Sequence, residues 1–221
     1  MNVEQARFNM IEQQIRPWDV LDSDVLTLLA VMRREDFVPA EQRALAFVDM
    51  MVPLRDGGAA GQCMLEPKQE ARLLQELRLQ RHEKVLEIGA GSGYMAALLA
   101  HRAQQVFTLD LAPEMVALAK ANLQRAGVMN ATVRQGDGAQ GLPGEAPFDA
   151  IVLSGSVASV PQALLEQLKV GGRLIAIVGQ EPVMRATLFT RSGEREFGEV
   201  VLFDTLAPRL LNFPEPTRFS F

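Results

Sequence analysis

The sequence predicts an α/β fold, in which a mainly parallel sheet is covered by helices on both faces and an additional helical part precedes it. Between residues 84 and 178, short apolar runs of strand length alternate with segments of helical spacing. Residues 3–79 show helical periodicity instead, interrupted once by an irregular stretch. Beyond residue 178, two strand-like runs are separated only by a turn, which predicts an antiparallel pair at the sheet edge.

The composition is that of an ordinary globular protein. Of 221 residues, 48% are hydrophobic and 22% are charged, and the net charge of −5 argues against a broad basic surface for nucleic acid. No apolar stretch approaches the roughly 18 residues that span a bilayer, and the first residues do not resemble a signal peptide. The single cysteine, Cys63, fits a reducing compartment. We therefore expect a cytoplasmic protein with neither a nucleic-acid nor a membrane partner.

The N-terminal part is predicted to contain three helices, over residues 3–16, 23–32 and 68–79. Pro17 would end the first helix, and either Asp22 or Ser23 would cap the second. Residues 50–67 are expected to be irregular because glycines and prolines are frequent there. The organisation expected from these patterns is a helical segment, residues 1–79, packed on a core of residues 80–221 to make one compact domain.

The core is predicted to contain five strands, each ending near a turn, over residues 84–88, 105–110, 131–135, 148–153 and 173–178. Helices are expected between them over residues 93–101, 113–126 and 161–168. The terminal hairpin would pair residues 185–190 with residues 197–205. The tail, residues 210–221, contains three phenylalanines, which are expected to pack on the same domain rather than against a second copy.

A glycine-rich turn joins the first core strand to the helix after it, and we call residues 87–93 the glycine turn. A strand, a glycine turn and a helix N-terminus together can hold a nucleotide, because the backbone can approach the ligand closely. The glycines do not follow the dinucleotide spacing, since its third glycine would fall on Tyr94. The residues of the turn are Glu87, Ile88, Gly89, Ala90, Gly91, Ser92 and Gly93.

Glu87 distinguishes between possible nucleotides. A carboxylate just before the glycines would repel a pyrophosphate but would favour a cation. S-adenosylmethionine carries both an ammonium and a sulfonium group, and a charge-assisted hydrogen bond to such a group is worth roughly 1.5–3 kcal/mol. The sequence therefore predicts S-adenosylmethionine as the cofactor.

Two further acids follow the next two strands. Asp110, followed by Leu111, lies where a ribose-binding carboxylate is expected, and Asp137, followed by Gly138, could accept a hydrogen bond from the adenine amino group. Each acid has a simpler alternative, because Asp110 could cap a helix and Asp137 could be a turn residue. All three acids would nevertheless meet at the ligand-binding edge of one sheet.

Several segments together resemble the protein-L-isoaspartate O-methyltransferase family. They are residues 85–94, 136–138, 146–152 and 167–174 in the core, and residues 34–39 and 46–49 before it. The resemblance extends over most of residues 1–180. It implies a Rossmann-like seven-stranded methyltransferase sheet with the last strand antiparallel and an N-terminal helical extension on the acceptor side. We expect a monomer or weak dimer without a metal site.

The same resemblance implies an activity, methyl transfer to the carboxylate of an isoaspartyl residue in a damaged protein or peptide. The family carries a motif of the form G-Q-T-I-S-Q-P on the acceptor side, which here is residues 61–67 and which we call the acceptor segment. Gln62 is kept, whereas Cys63 replaces the threonine and Leu65 replaces the serine. These three positions are the candidate catalytic residues.

The replaced serine leaves three alternatives open. Other groups could hold the acceptor carboxylate, and the candidates are Gln62, Ser154, Ser156 and Arg209. Alternatively, the acceptor itself could differ, because leucine cannot donate a hydrogen bond to a carboxylate. The third alternative is a protein that binds S-adenosylmethionine without catalysis.

Overall fold

The N-terminal part is helical, as predicted, although its first helix changes type along its length. The computed structural model describes residues 2–55 and 61–216. Helix α1, Val3–Met10, is followed by a π-helical turn, Ile11–Ile15, and a 3-10 turn, Arg16–Trp18. Pro17 therefore lies inside a helical turn rather than ending the helix. The turn ends at Asp19, whose left-handed backbone has a φ of 58°.

Helix α2, Ser23–Val31, is capped by Asp22, one of the two predicted candidates. The Asp22 side chain accepts hydrogen bonds from the backbone N–H groups of Asp24 and Val25 at 2.8 and 3.1 Å. These bonds satisfy two of the backbone donors that a helix leaves free at its N-terminus. Two 3-10 segments follow, Arg34–Asp36 and Ala40–Phe47.

The predicted irregular stretch contains a small antiparallel ribbon of β1, Val52–Pro53, and β2, Cys63–Met64. Part of this stretch, including Gly57 and Gly58, lies outside the described residues. Helix α3, Pro67–Leu77, begins one residue before its predicted start and ends two residues before its predicted end. It begins at Pro67 because proline suits the first turn, and Arg78 ends it in a left-handed conformation.

The main sheet has seven strands in the order β5-β4-β3-β6-β7-β8-β9. The strands are β3 Lys84–Ile88, β4 Gln105–Asp110, β5 Ala131–Gln135, β6 Phe148–Val157, β7 Leu168–Gln180, β8 Val183–Arg191 and β9 Phe197–Asp204. The first five are parallel, whereas β8 pairs antiparallel with β7 and β9 pairs antiparallel with β8. The predicted seven-stranded sheet with its antiparallel end is confirmed.

Three α-helices connect these strands, α4 Tyr94–Arg102, α5 Pro113–Arg125 and α6 Gln162–Leu165. The longest, α5, has 13 residues, and no helix in the described part of the chain is long and apolar enough to cross a membrane. The predicted helix over residues 161–168 is wrong at its end, because Leu168 pairs with Phe148 in the sheet. Strand β6 also continues past residue 153, since Ser156 and Val157 pair with β7 after a register shift.

Strand β3 shows how the core is divided between the two faces of the sheet. Val85 packs in one hydrophobic cluster with residues of α2, α3, α4 and α5, whereas Leu86 and Ile88 pack in a second cluster with α6 and Phe213. Alternate residues of a strand point to opposite faces, so both faces of this strand are buried. The carboxyl ends of the parallel strands remain as the accessible edge where a ligand can bind.

Candidate cofactor and acceptor site

The glycine turn follows β3 directly and has a left-handed backbone at each of its three glycines. The φ angles are 96° at Gly89, 49° at Gly91 and 83° at Gly93. A Cβ atom at Gly93 would lie 3.2 Å from the Ala119 backbone, so glycine also permits close packing against α5. The N–H groups of Gly89 and Ala90 donate to the Leu109 carbonyl, which fixes the turn on β4.

Asp110 stands at the carboxyl end of β4 and holds the glycine turn. Its Oδ2 accepts a hydrogen bond from the Gly91 N–H at 2.9 Å, and its Oδ1 accepts one from the Ala112 N–H at 3.0 Å. The second bond closes a turn just before α5, whose N-cap is Ala112 and has no side-chain cap, so the alternative in which Asp110 caps the helix is wrong. The carboxylate is half-buried and lines an open cleft.

Asp137 follows β5 and lies across the cleft from the glycine turn. Its Oδ1 accepts from the Ala139 N–H at 3.0 Å, as a turn residue would, and its Oδ2 accepts from the Asn212 side-chain amide at 2.9 Å. The next residue, Gly138, has no room for a side chain, because a Cβ atom there would lie 2.1 Å from Ile88 Cγ2. Asp137 itself is exposed to the cleft.

The cleft between these acids has a volume of about 330 Å³. Its walls combine apolar side chains with a few polar groups, a composition typical of a small-molecule site. The lining includes most of the predicted cofactor residues and the first part of the acceptor segment, namely Gln62, Cys63, Ile88, Gly89, Gly91, Asp110, Leu111, Asp137 and Gly138.

A smaller chamber of about 20 Å³ lies behind the glycine turn. Glu87 lines this chamber rather than the cleft, together with Glu70 and Leu65. The Glu87 carboxyl is fully buried and accepts hydrogen bonds from the Thr108 hydroxyl at 2.7 Å and the Ser154 hydroxyl at 2.8 Å. Burial raises its pKa to about 8, against the opposing effect of these two donors.

The chamber also contains Ala90 and Ser92 of the glycine turn. The backbone N–H of Tyr94 lies 3.2 Å from the Ser92 hydroxyl and donates a hydrogen bond to it. Gly93, the last residue of the turn, lines neither the chamber nor the cleft. The predicted cofactor residues are therefore divided, some facing the cleft and others supporting it from behind.

The acceptor segment separates the cleft from the chamber. Cys63 lines both, and burial together with the Glu70 charge raises the pKa of its thiol to about 11. Leu65 is 4% exposed and faces the chamber. Gln62 is half-buried and faces the cleft, where its Nε2 donates to Glu114 at 3.1 Å.

A buried guanidinium fixes the acceptor segment from behind. Arg34 donates to the Leu65 carbonyl at 2.7 Å and to the Ala46 carbonyl at 3.0 Å, and it forms an ion pair with Glu70. Arg34 and Glu70 are 1% and 4% exposed. Burial raises the pKa of Glu70 to about 7, although Arg34 opposes this shift. Sequence reasoning missed this pair because its members are separated by 36 positions.

The candidate acceptor-binding residues outside the acceptor segment differ in whether their side chains reach the cleft. Ser156 is wrong as a candidate, because its hydroxyl is buried and donates to the Ala207 carbonyl. Ser154 lines the cleft but already donates to Glu87. Arg209 lines the cleft with a guanidinium that also contacts Glu215 at 2.9 Å and the Gly179 carbonyl at 2.9 Å.

The sequence did not identify one wall of the cleft, which is formed by the C-terminal residues Leu210, Leu211 and Phe213. Phe213 was expected only to pack on the domain, and it is indeed 6% exposed. Phe219 and Phe221 lie outside the described residues.

Over residues 2–55 and 61–216, no three His, Cys, Asp or Glu side chains are arranged to hold a metal ion.

Comparison with known proteins gives the chain clear relatives. Residues 5–205 match the family described as Protein-L-isoaspartate(D-aspartate) O-methyltransferase (PCMT). The protein-L-isoaspartate O-methyltransferase of Methanoculleus marisnigri is 42% identical over 173 residues, which cover 78% of this chain and 77% of that protein. The protein of that name from Rhodopseudomonas palustris is 38% identical over 213 residues, which cover 94% of this chain and 96% of that protein.

Solved structures agree with these relatives at the level of the fold. A structure described as a protein-L-isoaspartate O-methyltransferase has a TM-score of 0.79 at 24% identity and covers 93% of this chain and 64% of that one. A second structure is described as a candidate β-aspartate methyltransferase from Plasmodium falciparum in complex with S-adenosyl-L-homocysteine. It has a TM-score of 0.77 at 19% identity and covers 95% of this chain and 98% of that one.

Proposed function

The chain belongs to the protein-L-isoaspartate(D-aspartate) O-methyltransferase family, and we propose that its S-adenosylmethionine binds in the cleft beside the glycine turn. Its activity is S-adenosylmethionine-dependent O-methylation of isoaspartyl residues. The observation that carries the proposed location is the meeting of the glycine turn, Asp110 and Asp137 around one cleft of about 330 Å³.

The cleft fits the chemical groups of this cofactor. Asp110 offers the ribose hydroxyls a carboxylate whose orientation is already fixed by two backbone donors. Asp137 offers an acceptor for the adenine amino group, and the apolar wall suits a flat aromatic ring. Bound S-adenosylmethionine supplies an electrophilic methyl group on a sulfonium.

Glu87 is proposed to act from behind the glycine turn. Its carboxyl does not line the cleft, and burial keeps it protonated up to about pH 8 in the free protein, but a cation bound beside the turn would favour its charged form. The hydroxyls of Thr108 and Ser154 already donate to it, so the charged form would retain two hydrogen bonds.

At the acceptor end, the chain has to position a carboxylate and exclude water, because an ionised carboxylate needs no base to act as a nucleophile. We assign the positioning to Gln62 and Arg209, which line the cleft and have more N–H groups than their present partners use. Cys63 lies between the cleft and the chamber, whereas Leu65 lines the chamber alone. The neutral Cys63 thiol adds no competing charge.

The experiment is methyl transfer from labelled S-adenosylmethionine to an isoaspartyl peptide, with the matching aspartyl peptide as the control. We expect a base-labile methyl ester on the isoaspartyl peptide alone. Gln62→Ala and Arg209→Gln should each raise the KM for the peptide more than the Kd for S-adenosylhomocysteine. Cofactor binding without any ester would point instead to another acceptor, an alternative that the apolar Leu65 favours.

We further propose that the protein acts in the cytoplasm as a monomer or weak dimer, on protein or peptide acceptors and not on nucleic acid. The net charge of −5 supports an acceptor other than a polyanion, and the single cysteine supports a reducing compartment. Sedimentation of the purified protein over a range of concentrations would measure its oligomeric state.

A further inference from the structure

The C-terminal segment, residues 208–213, crosses the carboxyl edge of the sheet and is anchored there by its backbone. The Ser156 N–H donates to the Pro208 carbonyl at 2.7 Å, and the Leu210 N–H donates to the Ser156 carbonyl at 2.9 Å. These bonds form an isolated parallel bridge between Ser156 and Arg209. The segment is therefore attached to the sheet beside the cleft rather than lying loosely on the surface.

Side chains of the C-terminal segment fit closely against the cleft. A Cβ atom at Gly155 would lie 2.8 Å from Leu210 Cγ, and one at Gly89 would lie 3.1 Å from Leu210 Cδ2. Leu210 therefore fills the space that these two glycines leave open. Phe213 is buried in the second core cluster and lines the cleft with its accessible part. The segment is thus a packed wall on the side of the cleft where Asp137 lies.

Asn212 lies between these two apolar anchors and points at Asp137. Its φ of 66° is left-handed, a conformation that asparagine tolerates better than most residues. Its Nδ2 donates to Asp137 Oδ2 at 2.9 Å, while Asp137 Oδ1 accepts from the Ala139 N–H at 3.0 Å. With one donor on each oxygen, the plane of the carboxylate is fixed, and each oxygen keeps a lone pair for a ligand.

We infer that Asn212 is a positioning residue for adenine recognition, because it orients Asp137 toward the amino group of the cofactor's base. This inference rests on the proposed function, in which Asp137 accepts a hydrogen bond from that amino group. Asn212 would then contribute to selectivity for adenine without itself contacting the base. A purely structural role for Asn212, in holding the C-terminal segment, would affect all nucleosides equally.

The test compares S-adenosylhomocysteine with its purine analogue, in which a hydrogen atom replaces the adenine amino group. Calorimetry on the wild-type protein should show tighter binding of the adenine compound, since the analogue has no amino group to donate to Asp137. Asn212→Gly removes the donor but keeps the left-handed backbone accessible. It should reduce the ratio of the two affinities several-fold, which is part of the roughly tenfold that one charge-assisted hydrogen bond to Asp137 provides.

Two further variants make the result decisive. Asn212→Asp keeps the shape of the side chain but places a carboxylate against Asp137, so it should reduce the ratio as well. Asp19→Gly replaces another left-handed residue, which does not line the cleft, and should leave the ratio unchanged. If the wild-type protein binds both compounds equally, the proposed role of Asp137 fails. If it discriminates and both Asn212 variants keep the wild-type ratio, the inference about Asn212 is overturned.

Discussion

Arg34 and Glu70 form an ion pair that is buried directly behind the acceptor segment. The same guanidinium donates to the Leu65 carbonyl, and the Glu70 side chain lines the chamber that Leu65 also lines. The main-chain position of Leu65 therefore depends on a charged pair outside the cleft. The geometry of the acceptor segment and the stability of the fold are linked through these two residues.

Glu70→Ala should lower the free energy of unfolding by about 3–5 kcal/mol, because it leaves the buried Arg34 charge without a partner. Denaturant unfolding of the purified variant would measure this loss. The control is Asp204→Ala, which removes an exposed pair with Arg185 and should cost less than about 1 kcal/mol. Equal losses in the two variants would contradict a special role for the buried pair.

The raised pKa of Glu87 predicts a particular pH dependence of stability. The folded state binds the Glu87 proton up to about pH 8, whereas the unfolded state releases it near its ordinary value of 4.5. This contribution to stability is therefore complete below the unfolded pKa and is lost as the pH rises through about 8. Glu87→Gln should make the free energy of unfolding fall less steeply over this range, by at most about 1.4 kcal/mol per pH unit.

Unfolding midpoints measured between pH 5 and 9 would show the change in slope. Glu194→Gln, at an exposed position of the hairpin turn, is the matched control and should keep the wild-type slope. A Glu87→Gln variant with an unchanged slope would mean that the buried carboxyl stays ionised in the folded protein.

Asp110→Ala should weaken the binding of S-adenosylhomocysteine by at least about 1 kcal/mol, or roughly fivefold in Kd. The variant loses the carboxylate proposed for the ribose and also frees the Gly91 N–H. Asp110→Asn retains an oxygen that can accept from Gly91, so it separates these two contributions. A calorimetric Kd that neither variant changes would place the cofactor elsewhere.

Leu65→Ser should raise kcat/KM for an isoaspartyl peptide about fivefold, if the missing hydroxyl alone limits acceptor binding. Leu65→Ala creates the same space without a hydroxyl and is therefore the control. Steady-state kinetics with both variants would show whether the gain belongs to the hydroxyl. Equal rates for the two variants would indicate that the acceptor carboxylate is held by other groups.

The sheet and the glycine turn could be predicted because their signals are local. The strand before the turn is a short apolar run, and the spacing of Gly89, Gly91 and Gly93 lies within five residues. Asp110 could be placed because it follows directly on a strand. Its hydrogen bond to Gly91 spans only 19 positions of the chain, and it joins two elements that the strand order already makes neighbours.

The direction of the Glu87 side chain was not anticipated, although the alternation along β3 contains the information. Leu86 and Ile88 pack on the face with α6, so Glu87 points to the opposite face, behind the glycine turn. The contact between Asn212 and Asp137 spans 75 positions and leaves no periodic signal. The shortening of α6 was also missed, because the pairing of Leu168 with Phe148 depends on the assembled sheet.

The position of Cys63 has a consequence for the chemical durability of the acceptor segment. With a pKa of about 11, only about one thiol in ten thousand is a thiolate at pH 7. Since the thiolate is the form that reacts with peroxides and alkylating agents, Cys63 should be modified slowly. An enzyme that acts on aged proteins would thereby keep its own acceptor segment unmodified while its substrates accumulate damage.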